Sequence, residues 1–184
     1  MINFKNVNFS YGKKQVLSNF NLQIKNGERI ALCGESGVGK TTVLRLIMGL
    51  EKINSGEMQI KSNKITTVFQ EDRLLPFKTV MENLTLFGSQ ENAQKILGEL
   101  GLLDVADKYP AALSGGMARR ISIARALIKG GDIFILDEPF NGIDEENVKL
   151  TAALINSYTF NKTLIMVSHN KRDIELLNCS AVQM

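Results

Sequence analysis

The 184-residue sequence predicts an α/β fold: a core of parallel strands, preceded by an antiparallel β-element and interrupted by an inserted helical subdomain. Three observations carry this expectation. Residues 133–136 are an unbroken apolar run and residues 65–69 a β-branched and apolar one, the pattern of parallel strands covered on both faces. From Glu28 onward, strand-like and helix-like segments alternate, as they do when helices cross over a parallel sheet. Between Thr79 and Lys108 only helical periodicity is found, which places the subdomain at about residues 75–125 of a single domain spanning 1–184.

In chain order, Ile2, Phe4, Val7 and Phe9 nearly alternate, Tyr11-Gly-Lys-Lys supplies a turn, and alternation resumes over residues 16–24. Lys25-Asn-Gly reads as a further hairpin signal. Arg29–Cys33 reads as a short buried strand, and residues 40–48 as a helix closed by Gly49. Helices over residues 144–158 and after Lys171 flank a last predicted strand, Thr163–Val167.

Composition narrows the function. Lys and Arg number 22 against 19 Asp and Glu, a net charge of only +3 with no basic run, so no nucleic-acid partner is expected. No apolar stretch approaches the roughly 18 residues that span a bilayer, and the polar start offers no signal peptide. Cys33 and Cys179 lack metal-type spacing; Cys33 reads as a buried, inert thiol, and a reducing cytoplasmic setting follows. A single histidine excludes a His-rich metal site.

Gly34-Glu-Ser-Gly-Val-Gly-Lys-Thr fits G-x-x-x-x-G-K-[ST] between an apolar strand and a helix. From this chain's own composition, an accidental match has a chance of roughly one in a hundred. The chemistry needs each part. Glycines let backbone N–H groups converge on phosphate oxygens, and the helix start adds its positive dipole end. The nucleotide-binding candidates are therefore Gly34, Glu35, Ser36, Gly37, Val38, Gly39, Lys40, Thr41 and Thr42. Lys40 would reach the outer phosphates of ATP, and the Thr41 hydroxyl would hold Mg²⁺. The fold class is then an α/β fold with a P-loop NTPase core.

The strand at 133–136 ends in Asp137 and Glu138, at the carboxyl edge where α/β sheets bind ligands. Asp137 would steady Mg²⁺, and Glu138 would orient or deprotonate the attacking water. The expectation is that the pleat relaxes at the strand end, so that both carboxylates reach the site. In Leu113-Ser-Gly-Gly-Met-Ala-Arg-Arg, Ser114 reads as an N-cap, with Gly115 and Gly116 exposing backbone N–H groups at the start of a helix to about Lys129. This is a second anion-binding helix end in a chain whose P-loop already serves one nucleotide.

Together these motifs resemble the ATP-binding subunit of ABC transporters, in the family's order and over nearly the whole chain. Gly34 to Thr41 is similar to Walker A, residues 133–138 to Walker B and residues 113–117 to the LSGGQ signature. Gln70 stands at the Q-loop position, Asn141-Gly-Ile-Asp144 at the D-loop, His169 at the switch histidine and Tyr11 at the aromatic that stacks on adenine. The resemblance implies catalytic roles for Glu138, His169 and Gln70, and Mg²⁺ contacts from Thr41, Gln70 and Asp137. It also implies a head-to-tail homodimer in the ATP state, in which Ser114, Gly115 and Gly116 of one copy meet the nucleotide of the other.

The sequence departs from the family pattern in places. Met117 replaces the signature glutamine, the D-loop reads Asn-Gly-Ile-Asp rather than Ser-Ala-Leu-Asp, and the first glycine of the P-loop precedes Gln70 by a short span. Only 15 residues follow His169, so no C-terminal regulatory domain is expected. The segment from Gln70 through Phe77 resembles importers of the nitrate, sulfonate and taurine group, with Leu74, Leu75 and Phe77 as an exposed apolar patch. The partners then expected are a transmembrane permease and a solute-binding protein, with this chain peripheral on the inner face of the cell membrane. An exporter ATPase, a non-transport ABC ATPase and a silent ATP-binding switch stay open at this point.

Overall fold

The strands sort into two sheets, one antiparallel and one parallel. A computed structural model describes all 184 residues. β1 (Ile2–Tyr11) and β2 (Lys14–Ile24) form a hairpin around Gly12. The alternation of β1 skips a step because the register shifts between Phe4 and Val7, where Asn6 takes a left-handed φ of 48°. β3 (Arg29–Cys33) leads into α1 (Lys40–Ile47), which ends at Met48 and the left-handed Gly49. β4 (Ser55–Ile60) then pairs with the other side of β1, giving the antiparallel order β2-β1-β4. Next come β5 (Ile65–Val68), α2 (Val80–Thr85), α3 (Gln90–Glu99), two 3₁₀ turns and α4 (Gly115–Lys129). The chain closes with β6 (Ile133–Asp137), α5 (Glu145–Tyr158), β7 (Thr163–Val167), α6 (Lys171–Leu176) and β8 (Ser180–Gln183). The second sheet is wholly parallel, in the order β5-β6-β7-β3-β8.

The apolar runs are explained by two cores. Ile133 and Ile135 join a cluster with Ile30, Leu32, Ile165, Val167 and the inner faces of β1 and α1. Their neighbours Phe134 and Leu136 join a second cluster with Ala31, Leu164 and Met166. Successive strand residues thus point to opposite cores, each buried side chain contributing about 1.5–3 kcal/mol. Val80, Leu84, Ile96 and Leu97 belong to the second cluster, so the helices between β5 and β6 share a core with the sheet.

Three expectations change, and two strands are unanticipated. The Lys25-Asn-Gly turn forms, with Glu28 N–H donating to Lys25 O at 3.2 Å, but it carries the chain from one sheet to the other and closes no hairpin. β4 and β8 had no sequence signal: both are largely exposed edge strands with few apolar residues. Cys33 is half-buried rather than buried, at the end of its strand. Leu74 is half-buried against the core, leaving Leu75 and Phe77 exposed. No helix is long and apolar enough to cross a membrane.

Candidate active site

The loop between β3 and α1 turns on glycines. Gly39 has φ 113°, a conformation that favours glycine, and a Cβ there would crowd the side chains of Leu17 at 3.0 Å and Val16 at 3.1 Å. It is also the N-cap of α1 and supplies no side-chain cap, which leaves the first amides of the helix facing the loop. Lys40 is buried and its Nζ donates to the carbonyls of Gly34 at 2.7 Å and Glu35 at 2.8 Å, spanning the turn from within.

A cavity of about 410 Å³ opens beside this loop at the carboxyl edge of the parallel sheet. The loop and helix contribute Ser36, Gly37, Gly39, Lys40, Thr41 and Thr42; the strand ends contribute Gln70, Asp137, Glu138 and His169; the first hairpin contributes Tyr11. Gly34, Glu35 and Val38 do not line it: the first two turn their carbonyls to Lys40, and Val38 N–H donates to Glu35 O at 3.4 Å. Lys14 and Val16 line it too, and the sequence reading missed them because nothing in a strand pattern marks its register against a distant loop.

Asp137 and Glu138 both reach the cavity, but not through a relaxed pleat. Glu138 adopts a left-handed φ of 47°, which swings its side chain off the strand line, at a conformational cost of about 1–3 kcal/mol. Its N–H donates to Val167 O at 2.9 Å, which keeps β6 tied to β7 through the turn. Glu138 Oε1 lies 3.3 Å from His169 Nε2. Burial pushes the Glu138 carboxyl above its usual range, with His169 opposing the shift. Burial raises Asp137 as well, against the pull of Arg119 and Lys40. The loop carrying His169 is fixed behind it, where Ser168 Oγ donates to Asp173 Oδ2 at 2.8 Å and accepts from Asn170 N–H at 3.1 Å. Tyr11 meets Phe9 edge to face at 4.8 Å between ring centres, and the residue stays 45% exposed, leaving ring surface open to stack.

Ser114, Gly115 and Gly116 stand apart from the cavity. Ser114 caps α4, accepting from Met117 N–H at 3.2 Å, and the Met117 side chain packs half-buried on the core. A Cβ on Gly116 would lie 2.8 Å from Gly142 O, so the fold itself demands glycine there. At Gly115 nothing lies within 4 Å, and nothing within this chain explains the absence of a side chain.

A sequence model described as ABC transporter matches residues 17–141. This chain belongs to the ABC transporter family. It is 38% identical over 194 residues to a probable ABC transporter ATP-binding protein, PEB1C, of Campylobacter jejuni, covering 92% of this chain and 80% of that one. It is 43% identical over 174 residues to the aliphatic sulfonates import ATP-binding protein SsuB of Corynebacterium glutamicum, covering 88% and 70%. The dimeric ATP-binding cassette MJ0796, solved in a post-hydrolysis state bound to ADP and Pi, superposes with a TM-score of 0.83. That likeness is at 29% identity and covers all of this chain and 94% of the other.

The donor set of this ABC ATP-binding domain fits Mg²⁺. Thr41, Asp137 and Gln70 line one cavity with a hydroxyl, a carboxylate and an amide, the hard oxygen donors that Mg²⁺ prefers. Three protein oxygens leave a six-coordinate Mg²⁺ short of ligands, which water and phosphate oxygens would supply. Arg119, which the sequence reading passed over, is almost fully buried and donates to main-chain carbonyls around this same edge. An arginine inside a helix carries no sequence mark of what it reaches.

Proposed function

We propose that this chain is the ATP-hydrolysing subunit of an ABC importer, working through ATP-driven head-to-tail dimerisation. The observation that carries the reading is the convergence on one cavity of Lys40 and Thr41 at a helix start with Gln70, Asp137, Glu138 and His169 at three strand ends. Lys40 and the first amides of α1 bind the outer phosphates. Thr41, Asp137 and Gln70 would hold Mg²⁺, which when bound would neutralise phosphate charge. Glu138 takes a proton from water as the new oxygen–phosphorus bond forms and the bond to the bridging oxygen of ADP breaks. His169, on the exposed side of Glu138, contacts the γ-phosphate and helps hold that water.

Gly115 supports the dimer. A glycine that its own chain does not require, at an open helix start, is suited to a partner's phosphate approaching within van der Waals range. The named importer relatives and the exposed Leu75 and Phe77 support a permease partner, with the chain peripheral on the inner membrane face. A solute-binding protein would complete an importer of this kind, with an aliphatic sulfonate or similar small anion as cargo.

The test is the solution mass of the Glu138→Gln protein by light scattering, with and without MgATP. Doubling only with MgATP is the expected result. A chain that binds no nucleotide would overturn the reading, and one that binds but stays monomeric would overturn dimerisation by this chain alone.

A further inference from the structure

The β5–β6 ladder ends at the pair Val68 and Leu136. Beyond it the two chains part, and their carbonyls would be left without partners at a half-buried edge. One guanidinium fills that gap. Arg119 Nη1 donates to Phe69 O, to Gln70 O at 3.3 Å and to Asp72 Oδ1 at 3.4 Å. Nη2 donates to Asp137 O at 2.6 Å and Glu138 O at 2.7 Å, and Nε donates to Pro139 O at 3.0 Å. All five N–H groups of the fork are engaged, and the side chain is 3% exposed.

The two segments it joins carry three of the polar groups of the nucleotide cavity: Gln70 on one side, Asp137 and Glu138 on the other. Arg119 itself does not line that cavity. It also grips both sides of the Glu138 peptide turn, where the left-handed φ of 47° has to be held against its own conformational preference. Its one carboxylate partner, Asp72 at 3.4 Å, is partly exposed, and its five other acceptors are all main chain, so what the guanidinium fixes is the backbone of these two segments.

We propose that Arg119 is a positioning residue for hydrolysis. Through main-chain carbonyls it holds the Gln70 loop against the turn of Asp137 and Glu138, so the chemical step depends on it far more than nucleotide binding, which Lys40 and the amides of α1 carry. The proposal rests on the ATPase reading above. Lysine cannot substitute, because a point ammonium with three donors does not span both segments as a planar fork does.

The experiment compares wild type, Arg119→Gln and Arg119→Lys as purified full chains. It measures ATPase kcat and KM, the Kd of a fluorescent ATP analogue, melting temperature, and hydrogen exchange over residues 69–72 and 137–140. In both variants kcat should fall roughly 10–100-fold, as for other residues that orient a site from behind, with KM and Kd changed by no more than about 3-fold. Exchange should rise in both segments and stay the same in β7 and α5. Full kcat in Arg119→Gln, or recovery of kcat by Arg119→Lys, overturns the proposal. So does a parallel loss of kcat, affinity and melting temperature, which marks a role in folding only. If wild type hydrolyses no ATP, the ATPase reading falls, and exchange alone decides whether Arg119 joins the two segments: no rise in Arg119→Gln overturns the joint itself.

Discussion

Glu138 and His169 face each other at 3.3 Å from the ends of two neighbouring parallel strands, β6 and β7. Thirty-one positions separate them in sequence, and the register that pairs Asp137 with Val167 brings them together. The carboxylate is the half-buried member and the imidazole the exposed one, so the proton acceptor is sheltered while its partner meets solvent. Glu138→Gln should lower ATP turnover by roughly 10²–10⁴-fold, the span expected for a lost general base, with ATP still bound. Steady-state hydrolysis beside a nucleotide-binding titration checks this; unchanged turnover removes the role.

The same carboxylate gives a pH signature. Burial raises Glu138 above its unfolded value, so the folded protein binds the extra proton over the window between the two. Stability therefore falls as pH rises through that window. Glu138→Gln should melt higher than wild type at neutral pH, and the gain should vanish below the usual carboxylate range. Paired thermal melts at acidic and neutral pH provide the comparison. A variant less stable than wild type at neutral pH contradicts it.

Lys40 lines the nucleotide cavity and brings a positive charge to it, so its loss should weaken the hold on the phosphates. Charge-assisted hydrogen bonds contribute about 1.5–3 kcal/mol each, so Lys40→Ala should weaken ATP binding by at least about 10-fold. Calorimetric titration would show this, with circular dichroism confirming an intact fold. Native affinity in the variant would remove Lys40 from the phosphate site.

Gly115 and Gly116 should separate cleanly. Gly116→Ala drives a methyl into Gly142 O at 2.8 Å and should lower the melting temperature without any nucleotide present. Gly115→Ala has open space and exchanges glycine for a better helix former, so its melting temperature should not drop. Its defect should appear only in MgATP-driven dimerisation, read by light scattering. A Gly115→Ala chain that dimerises normally would put the partner's phosphate elsewhere.

The sequence revealed what periodicity and spacing encode. β3, β6 and β7 were legible because strands packed on both faces are apolar at nearly every step, β5 because all four of its residues are β-branched, and the P-loop because its glycines are dictated by the turn. β4 and β8 were not, since an exposed edge strand needs only backbone partners and any side chains will do. Gln70, His169 and Tyr11 were named through resemblance; their convergence is visible only once strand ends are placed side by side. Gly34, Glu35 and Val38 fit the motif yet stand behind the cavity wall, because a motif records which residues build a loop and not which atoms face inward. Arg119 escaped notice because its acceptors are all main chain, apart from Asp72, and main chain leaves no trace in composition.

Gly116 also has a mechanical consequence. Its backbone lies against Gly142 with no room for a methyl group, Asp144 two residues further on caps α5, and Arg120 reaches from α4 to Asn147 in that helix at 2.7 Å. The start of α4, the 141–144 loop and the start of α5 therefore form one block without slack. Torque applied to any of the three turns the other two with it, as teeth on a single cog.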